Sequence, residues 1–251
     1  MSAARIETPK IQAPKTSSVE SRINRLDWPQ IVASLHQTGW ARTGQLLTQA
    51  ECHALRDLYA NDGLFRNKVV MARHHFGLGE YKYFAYPLPA LVTELRESLY
   101  AGLMEVANEW SAKLGINAEY PATHREFIRH CSAKGQKRPT PLMLRYERGG
   151  YNCLHQDLYG EVYFPLQTVF MLDRPGEDFE GGEFVLVEQR PRAQSAAHVI
   201  APRQGEGVVF TTRWRPVQGS RGYYRVNIRH GVSAVTRGLR HTLGIVYHDA
   251  Q

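Results

Sequence analysis

The sequence is poor in cysteine, with three residues among 251, and it contains no long apolar run. Cys52, Cys131 and Cys153 are widely spaced and form no CxxC pair, which argues against both a disulfide framework and a zinc site. No stretch of about eighteen apolar residues is present, so a membrane-spanning helix is not expected. Residues 1–20 lack the apolar stretch of a secretory signal. We therefore expect a cytoplasmic protein with free thiols and no membrane partner.

Acidic residues are outnumbered by basic ones: 24 Asp and Glu stand against 31 Lys and Arg, for a net charge of +7 at pH 7. A basic excess attracts polyanions through long-range electrostatics. Nucleic acid is therefore a partner to consider, although many basic proteins bind none. The hydrophobic content of 43% is ordinary for a folded protein with a substantial core.

The N-terminal half is dominated by helical patterns. Residues 1–20 are rich in Ser, Thr, Pro, Lys and Ala, and this composition predicts a disordered tail. Residues 21–140 are predicted to form a helical region, in which Asp27 and Thr48 are candidate helix caps. Three segments carry helical spacing: WPQIVASLHQTGW, LTQAECHALRDLYAND and PALVTELRESLYAGLMEVANEWSAKLG, the last ending at Gly115.

From about residue 140 onward, short β-rich runs alternate with Gly, Pro and Asp turns, and no helix-length segment interrupts them. Many short strands without intervening helices favour an antiparallel sandwich such as a jelly roll. The expected fold class is therefore α+β, with a jelly-roll core over residues 141–251 and the helical N-terminal part packed on it. The runs are PLMLRY, EVYFPLQTVFMLD, GEFVLVEQ, AHVIAP, GVVFTT, YYRVNIRHGVSAV and HTLGIVYHD.

The strongest local candidate for a metal site is the pair His155 and Asp157. In an extended segment, residues i and i+2 project to the same side, so an HxD pair can present an imidazole and a carboxylate to one ion. His230, in a later strand-like run, is the candidate third ligand, with His241 and His248 as competitors. Two imidazoles and one carboxylate leave coordination positions open, which suits Fe(II).

Arg240 lies ten residues beyond His230 (240 − 230), whereas neither competing histidine is followed by an arginine at that spacing. A guanidinium near the metal can pair bidentately with the distal carboxylate of a chelating dicarboxylate. Thr242 lies two residues further on the same strand face and could hydrogen-bond the same group.

These segments resemble the Fe(II)/2-oxoglutarate dioxygenase superfamily over residues 142–249. The stretches that carry the resemblance are LRYERGGYNCLHQDLYG, DFEGGEFVLVE, QGEGVVFTT and RHGVSAVTRGLRHTLGIVYHD. The resemblance implies a double-stranded β-helix, iron held by His155, Asp157 and His230, and 2-oxoglutarate held by Arg240. It also implies Fe(II), 2-oxoglutarate and O₂ as cofactor and co-substrates.

The pattern YxxGxxxxLHQD is similar to AlkB-type nucleic-acid dealkylases, and that resemblance implies that Tyr146 contacts 2-oxoglutarate. The stretches GEYKYFAYPLP, GQKRPTPLMLRY, NCLHQDLYGE and EQRPRAQS resemble a bacterial family of predicted nucleic-acid-modifying oxygenases. The spacing from His230 to Arg240 is closer to that of prolyl-hydroxylase-like enzymes.

Two further segments are candidate substrate contacts. The segment TTRWRPVQGSRGYYRVNIRH combines cations that can meet phosphates with aromatic rings that can stack on bases. It precedes His230, so part of it is expected at the mouth of the site. The stretch containing Arg73, His74, His75, Lys82 and Tyr83 is a possible substrate lid. The candidate nucleic-acid residues are Arg213, Trp214, Arg215, Arg221 and Tyr223.

The function that these features favour is an Fe(II)- and 2-oxoglutarate-dependent dioxygenase that removes alkyl groups from damaged bases in nucleic acid. Such a base must be single-stranded or flipped out of its duplex. The alternative is a protein hydroxylase of the prolyl type, which the His230-to-Arg240 spacing favours. A non-catalytic binding protein on the same fold is a third hypothesis, against which the intact metal triad argues.

Overall fold

A computed structural model describes residues 17–251. Five α-helices lie in the N-terminal half, and three of them correspond to the predicted helical segments. Gly115, with a φ of +60°, follows α4 two residues after its end. The helices are α1 (Val19–Asn24), α2 (Trp28–Thr38), α3 (Gln49–Asp57), α4 (Ala90–Lys113) and α5 (His124–Ala133).

The predicted helix caps are confirmed. The Asp27 side chain accepts a hydrogen bond from the Gln30 amide, which begins α2. Thr48 and Glu51 form a reciprocal capping box at α3. Helix α5 was not predicted, although Thr123 and Glu126 have the same spacing as Thr48 and Glu51, and Thr123 caps that helix.

The prediction of a disordered tail over residues 1–20 is wrong for residues 18–20, which form the cap and the first residues of α1. Ser18 caps α1, and Val19 and Ile23 of this helix are buried in the main hydrophobic core. Residues 1–16 lie outside the described part of the chain. A short helix with two apolar anchors leaves too brief a periodic pattern to be recognised by spacing alone.

The described part of the chain contains fifteen strands, and each predicted β-rich run after residue 140 contains one of them. The strands are β1 (Trp40–Gln45), β2 (Phe65–Val70), β3 (Gly77–Leu78), β4 (Glu80–Phe84), β5 (Leu142–Tyr146), β6 (Tyr151–His155), β7 (Leu166–Met171), β8 (Phe179–Gly181), β9 (Phe184–Gln189), β10 (Ala196–Ile200), β11 (Glu206–Thr211), β12 (Trp214–Gly219), β13 (Gly222–Val232), β14 (Val235–Gly238) and β15 (Arg240–Val246).

The strands form two antiparallel sheets that face each other as a jelly roll. The seven-stranded sheet has the order β1-β11-β7-β15-β5-β4-β2. The six-stranded sheet has the order β10-β9-β13-β6-β3, with β12 paired to β13, and β14 pairs with β8 as a separate ribbon. This arrangement confirms the expected α+β class with a jelly-roll core.

The region before residue 141 is not purely helical, because it supplies β1, β2, β3 and β4 to the two sheets. Three of these strands lie at sheet edges, where one side has no neighbouring strand. The sequences of β1 (WARTGQ) and β2 (FRNKVV) do not alternate regularly between apolar and polar residues, and β3 has only two residues. The helical interpretation of residues 21–140 therefore missed them.

Strand β15 separates the helical layer from the interior of the jelly roll. Leu243 and Ile245 point outward into the main core, where they join Leu99 and Leu103 of α4. Successive residues of a strand face opposite sides, so Arg240, Thr242 and Gly244 point inward between the sheets. Within residues 17–251, no helix combines the length and apolarity needed to cross a membrane.

Candidate active site

His155, Asp157 and His230 come together between the two sheets. His155 ends β6 and pairs directly with His230 on β13. One ligand-type atom from each of the three residues lies within 4.8 Å of the others. The Nε2 atoms of His230 and His155 lie 3.1 Å and 3.5 Å from the carboxylate oxygens of Asp157.

Hydrogen bonds orient each member of this triad. The Nδ1 atom of His155 lies 2.8 Å from the Cys153 carbonyl, which can only accept, so the proton is on Nδ1 and Nε2 is free to bind a metal. The Tyr159 hydroxyl donates to Asp157 Oδ1 at 2.6 Å. Gln156 turns away from the triad and donates to the Ile228 carbonyl at 2.8 Å, which fixes the segment between the two ligands.

The pKa shifts of the triad reflect burial and charge pairing among its three members. Burial alone would raise the pKa of Asp157, but the two imidazoles outweigh it and hold that pKa well below the ordinary value. Burial works to lower the pKa of His155, and the Asp157 carboxylate reverses this and raises it. The pKa of His230 is lowered, first by burial and then by His155. An ionised carboxylate beside imidazoles that can lose their protons is what a divalent ion requires.

The triad faces a cavity of about 360 Å³ between the sheets. The seven-stranded sheet supplies its floor, with Tyr83, Leu142 and Gln167 among the lining side chains. The six-stranded sheet and the segment before β3 supply the opposite wall, which includes His75 and Phe76. Most of the lining is apolar or aromatic, so a bound molecule would be shielded from water.

Arg240, Tyr146 and Thr242 line the same cavity. Arg240 pairs with Tyr146 across β15 and β5, and its guanidinium carbon lies 5.4 Å from the tyrosine ring centre. Arg240 is 1% exposed, yet its Nε and Nη1 atoms and the Tyr146 hydroxyl have no hydrogen-bond partner among residues 17–251. Burial lowers the pKa of Arg240, although an arginine remains charged. A buried cation that forms no salt bridge is destabilising, so binding of an anionic ligand beside it would be favourable.

The Gly181-Gly182 turn makes room for this arginine. Both glycines have positive φ angles, of 71° and 65°. A Cβ atom on Gly182 would lie only 2.8 Å from Arg240 Cδ. A larger residue would therefore clash with the arginine as well as strain the backbone. Gly182 therefore leaves room for the Arg240 side chain, whereas a Cβ atom on Gly181 would meet the Ala234 carbonyl instead.

The competing histidines are placed elsewhere. His241 points to the helical side of the seven-stranded sheet, where its Nδ1 lies 2.9 Å from Asp173. His248 is buried and accepts a hydrogen bond from the Phe164 amide. Neither residue lines the cavity that contains the triad.

The basic and aromatic segment before His230 forms the β12–β13 hairpin, and its five candidate residues do not line the cavity. Two guanidinium groups contact the Trp214 ring, with Arg213 at 3.8 Å and Arg225 at 4.6 Å from its centre. Arg221 is exposed at the hairpin turn, and Tyr223 is 42% exposed. This hairpin is therefore a surface beside the site rather than its lining.

Arg215 is unavailable to nucleic acid, which corrects its place among the candidates. It is 3% exposed, and its guanidinium binds Glu188 at 2.7 Å and the His36 carbonyl at 3.2 Å. Alternate residues of β12 face opposite sides, so Arg215 points inward where Trp214 does not. Its partner Glu188 lies on β9, and nothing in the local sequence indicates that pairing.

The possible lid is divided between two environments. His75 and Tyr83 line the cavity, and so does the neighbouring Phe76, which is 47% exposed. Lys82 is buried on the other side of β4, where it binds Asp62 at 2.6 Å. Movement of this segment over a substrate remains a prediction.

Several cavity residues were missed by the sequence analysis, among them Tyr159, Gln167, Phe184 and Phe210. Phe184 and Phe210 lie in strands whose apolar residues all predict a hydrophobic core. No local signal therefore distinguishes these two cavity residues from ordinary core residues. Gln167 does carry a signal, because it interrupts the apolar run PLQTVFM.

The sequence profile of the Oxygenase-NA family, described as an oxygenase catalysing oxidative methylation of damaged DNA, matches residues 79–250. Two relatives in Mycobacterium tuberculosis, the uncharacterized proteins Rv2227 and MT2286, are each 48% identical over 167 residues. These alignments cover 66% of this chain and 72% of each relative.

Solved structures resemble the chain in fold. An oxidoreductase of the 2OG-Fe(II) oxygenase family from Burkholderia pseudomallei is 18% identical at a TM-score of 0.52, covering 90% of this chain and 94% of that one. A Pseudomonas putida prolyl-4-hydroxylase is 16% identical at 0.51, covering 89% and 99%. A Trichoplax adhaerens prolyl hydroxylase, in complex with a hypoxia inducible factor peptide fragment, is 15% identical at 0.55, covering 92% of both chains.

The family match spans more than half of the chain, whereas the structural likenesses establish the jelly-roll fold alone. The chain belongs to the Oxygenase-NA family and is a 2-oxoglutarate-dependent Fe(II) oxygenase, with Fe(II), 2-oxoglutarate and O₂ as its cofactor and co-substrates.

Proposed function

We propose that His155, Asp157 and His230 hold the Fe(II), and that Arg240 holds the distal carboxylate of 2-oxoglutarate with help from Tyr146 and Thr242. Two imidazoles and one carboxylate facing an open cavity are the donor set of non-haem Fe(II) oxygenases. The unpaired Arg240 guanidinium and the Tyr146 hydroxyl, buried in the same cavity, are the donors that a carboxylate needs.

With O₂ and 2-oxoglutarate, bound Fe(II) supplies the oxidising chemistry that inserts one oxygen atom into a substrate C–H bond and releases succinate and CO₂. The protein residues orient and shield the reactants. His155 is held by the Cys153 carbonyl and Asp157 by the Tyr159 hydroxyl, so the donor atoms are fixed before any ligand arrives. The aromatic lining excludes water from the reacting groups.

The substrate that we propose is an N-alkylated base in nucleic acid. Hydroxylation of an N-methyl carbon gives a carbinolamine, which breaks its C–N bond, releases formaldehyde and leaves the nitrogen with a proton. The single observation that carries this proposal is the metal triad opening into an aromatic cavity of about 360 Å³, within a family described by its action on damaged DNA. The net charge of +7 and the Arg213–Trp214–Arg225 stack favour the same polyanionic substrate.

A protein hydroxylase of the prolyl type is the second candidate. The ten-residue spacing from His230 to Arg240 favours it. The two candidates differ in their response to salt, because binding to a nucleic-acid backbone weakens steeply as salt rises. A peptide substrate without clustered charge would bind with much weaker salt dependence.

The test of the proposed function is turnover of 2-oxoglutarate with Fe(II) on three samples: methylated single-stranded DNA, the same unmodified strand, and no substrate. We expect succinate and formaldehyde to rise together only with the methylated strand. His155→Ala should abolish both products, whereas His130→Ala, at an exposed histidine of α5, should leave them unchanged. Succinate production that requires His155 but does not change when DNA is added would refute the nucleic-acid substrate. The substrate would then be sought among proteins. Absence of turnover under every condition would contradict the ligand assignment.

The Tyr159 hydroxyl provides a further prediction. Tyr159→Phe removes the hydrogen bond to Asp157 Oδ1 and little else, because the ring keeps its packing against Tyr83 and His248. Partners of metal ligands contribute about 10- to 100-fold to metal affinity. We expect Fe(II) affinity to fall by about 10-fold, as measured by the Fe(II) concentration for half-maximal turnover. An unchanged value would mean that Asp157 is oriented by the two histidines alone.

A further inference from the structure

Gln167 is a buried polar residue whose role is not explained by the fold. It lies on β7, is 3% exposed and lines the active-site cavity, yet its Nε2 has no hydrogen-bond partner in the described chain. The other buried glutamine, Gln136, donates to the carbonyls of Val162 and Asp249 and accepts from the Val162 amide. Leaving a buried amide unpaired is costly, so an unpaired amide facing a cavity indicates a ligand.

The strand register brings Gln167 close to the metal triad. Gln167 pairs directly with Phe210 on β11, and both line the cavity. Residues directly opposite in an antiparallel pair have neighbouring side chains on the same face. The Phe210 ring centre is 4.8 Å from that of His230. The Phe210 side chain therefore separates the Gln167 amide from His230, a candidate metal ligand.

Gln167 lies at the opposite end of the cavity from the residues proposed for 2-oxoglutarate. On its other side it pairs with Val246 of β15, six positions after Arg240 on that strand (246 − 240). Six positions span about 20 Å along a strand. A dicarboxylate that reaches from the metal to Arg240 extends away from Gln167. The Gln167 amide is therefore free to contact the substrate rather than 2-oxoglutarate.

Apolar side chains flank the amide on both sides. Phe210 borders it on β11, and Val246 on β15 belongs to a cluster that contains Tyr83 and packs against Tyr159. A planar ring could stack between such walls while its polar edge meets the amide. The amide offers one donor group and one acceptor group side by side, the pair that matches the amino group and the adjacent N7 on the major-groove edge of adenine, which stays free when N1 is methylated.

We propose that Gln167 is a specificity-determining residue whose amide hydrogen-bonds the amino-and-ring-nitrogen edge of a methylated adenine held beside the triad. This inference rests on the proposed nucleic-acid substrate. On its major-groove edge cytosine presents the amino donor beside a C–H group, and methylation of N3 removes the acceptor on its pairing edge, so N3-methylated cytosine satisfies only half of the amide. The wild-type enzyme therefore prefers methylated adenine to methylated cytosine.

Gln167→Met tests the inference, since methionine keeps the length of the side chain and removes both polar groups. Single-stranded oligonucleotides with one adenine methylated on N1 or one cytosine methylated on N3 are compared by kcat/KM and by binding without O₂, measured through fluorescence anisotropy. We expect the variant to lose about 10-fold or more on adenine and less than about 3-fold on cytosine. The KM for 2-oxoglutarate should not change, because Arg240 lies at the other end of the cavity.

A measurement of thermal stability separates this role from a structural one. Gln167→Met should not lower the Tm, because the amide makes no bond through Nε2, whereas Gln136→Met should lower it clearly. Equal losses on both bases, or no loss on adenine, would overturn the assignment of Gln167. If the wild-type enzyme turns over neither oligonucleotide, the proposed function itself fails, and the result is recognisable without the variant.

Discussion

Replacing Asp157 by asparagine is expected to abolish turnover by removing Fe(II), while the protein stays folded. Asparagine preserves the shape of the side chain and can still accept from Tyr159, but it removes the single negative charge of the proposed ligand set. Loss of a ligand should exceed the 10- to 100-fold effect of its supporting partners, so we expect more than about 100-fold weaker Fe(II) binding. Metal content after dialysis and Fe(II)-dependent succinate production measure the effect.

Asp173→Asn is the matched control. Asp173 is also buried, and it also pairs with a histidine, His241, and with Arg56. It lies on the helical side of the seven-stranded sheet, outside the cavity. Its substitution should lower stability and leave Fe(II) binding intact. Retention of Fe(II) by Asp157→Asn, or equal loss in both variants, would contradict the proposed ligand set.

The contrast between these two aspartates shows what the sequence could reveal. His155 and Asp157 are close in sequence, and the strand period places both on one side, so the pair was predictable locally. His230 and Arg240 were predictable because their mutual spacing is also short. The Asp173–His241 pair joins residues 68 positions apart. Such a pairing depends on strand order, which no local pattern specifies.

The same reason explains the missed strands and the error at Arg215. Strand β1 pairs with β11, so Trp40 lies opposite Phe210, and its sequence WARTGQ has little β character of its own. Arg213 and Arg215 are alike in sequence context, and Glu188 on β9 decides which of them is buried. Local residues therefore determine capping and side-chain alternation, whereas distant partners determine which charges remain available.

Replacing Arg240 by methionine is expected to impair 2-oxoglutarate binding without destabilising the protein. Hydrogen bonds to charged groups contribute about 1.5–3 kcal/mol each, and a guanidinium can make two to one carboxylate. We expect the KM for 2-oxoglutarate to rise by about 100-fold or more. Protection of the protein against heat by 2-oxoglutarate should disappear as well, which provides a readout that does not need turnover.

The matched control is Arg96→Met, since Arg96 and Arg240 are both 1% exposed. Arg96 is fully engaged: it binds Asp249 at 2.8 Å and donates to the carbonyls of Val246, Tyr247 and His248. Its loss leaves a buried carboxylate unpaired and should cost about 3–5 kcal/mol of unfolding free energy. Removing Arg240 instead removes a buried charge that forms no salt bridge within residues 17–251, so the ligand-free variant should be as stable as the wild type or more stable. A large loss of stability in Arg240→Met would mean that this guanidinium serves the fold, and the carboxylate of 2-oxoglutarate would then require another partner.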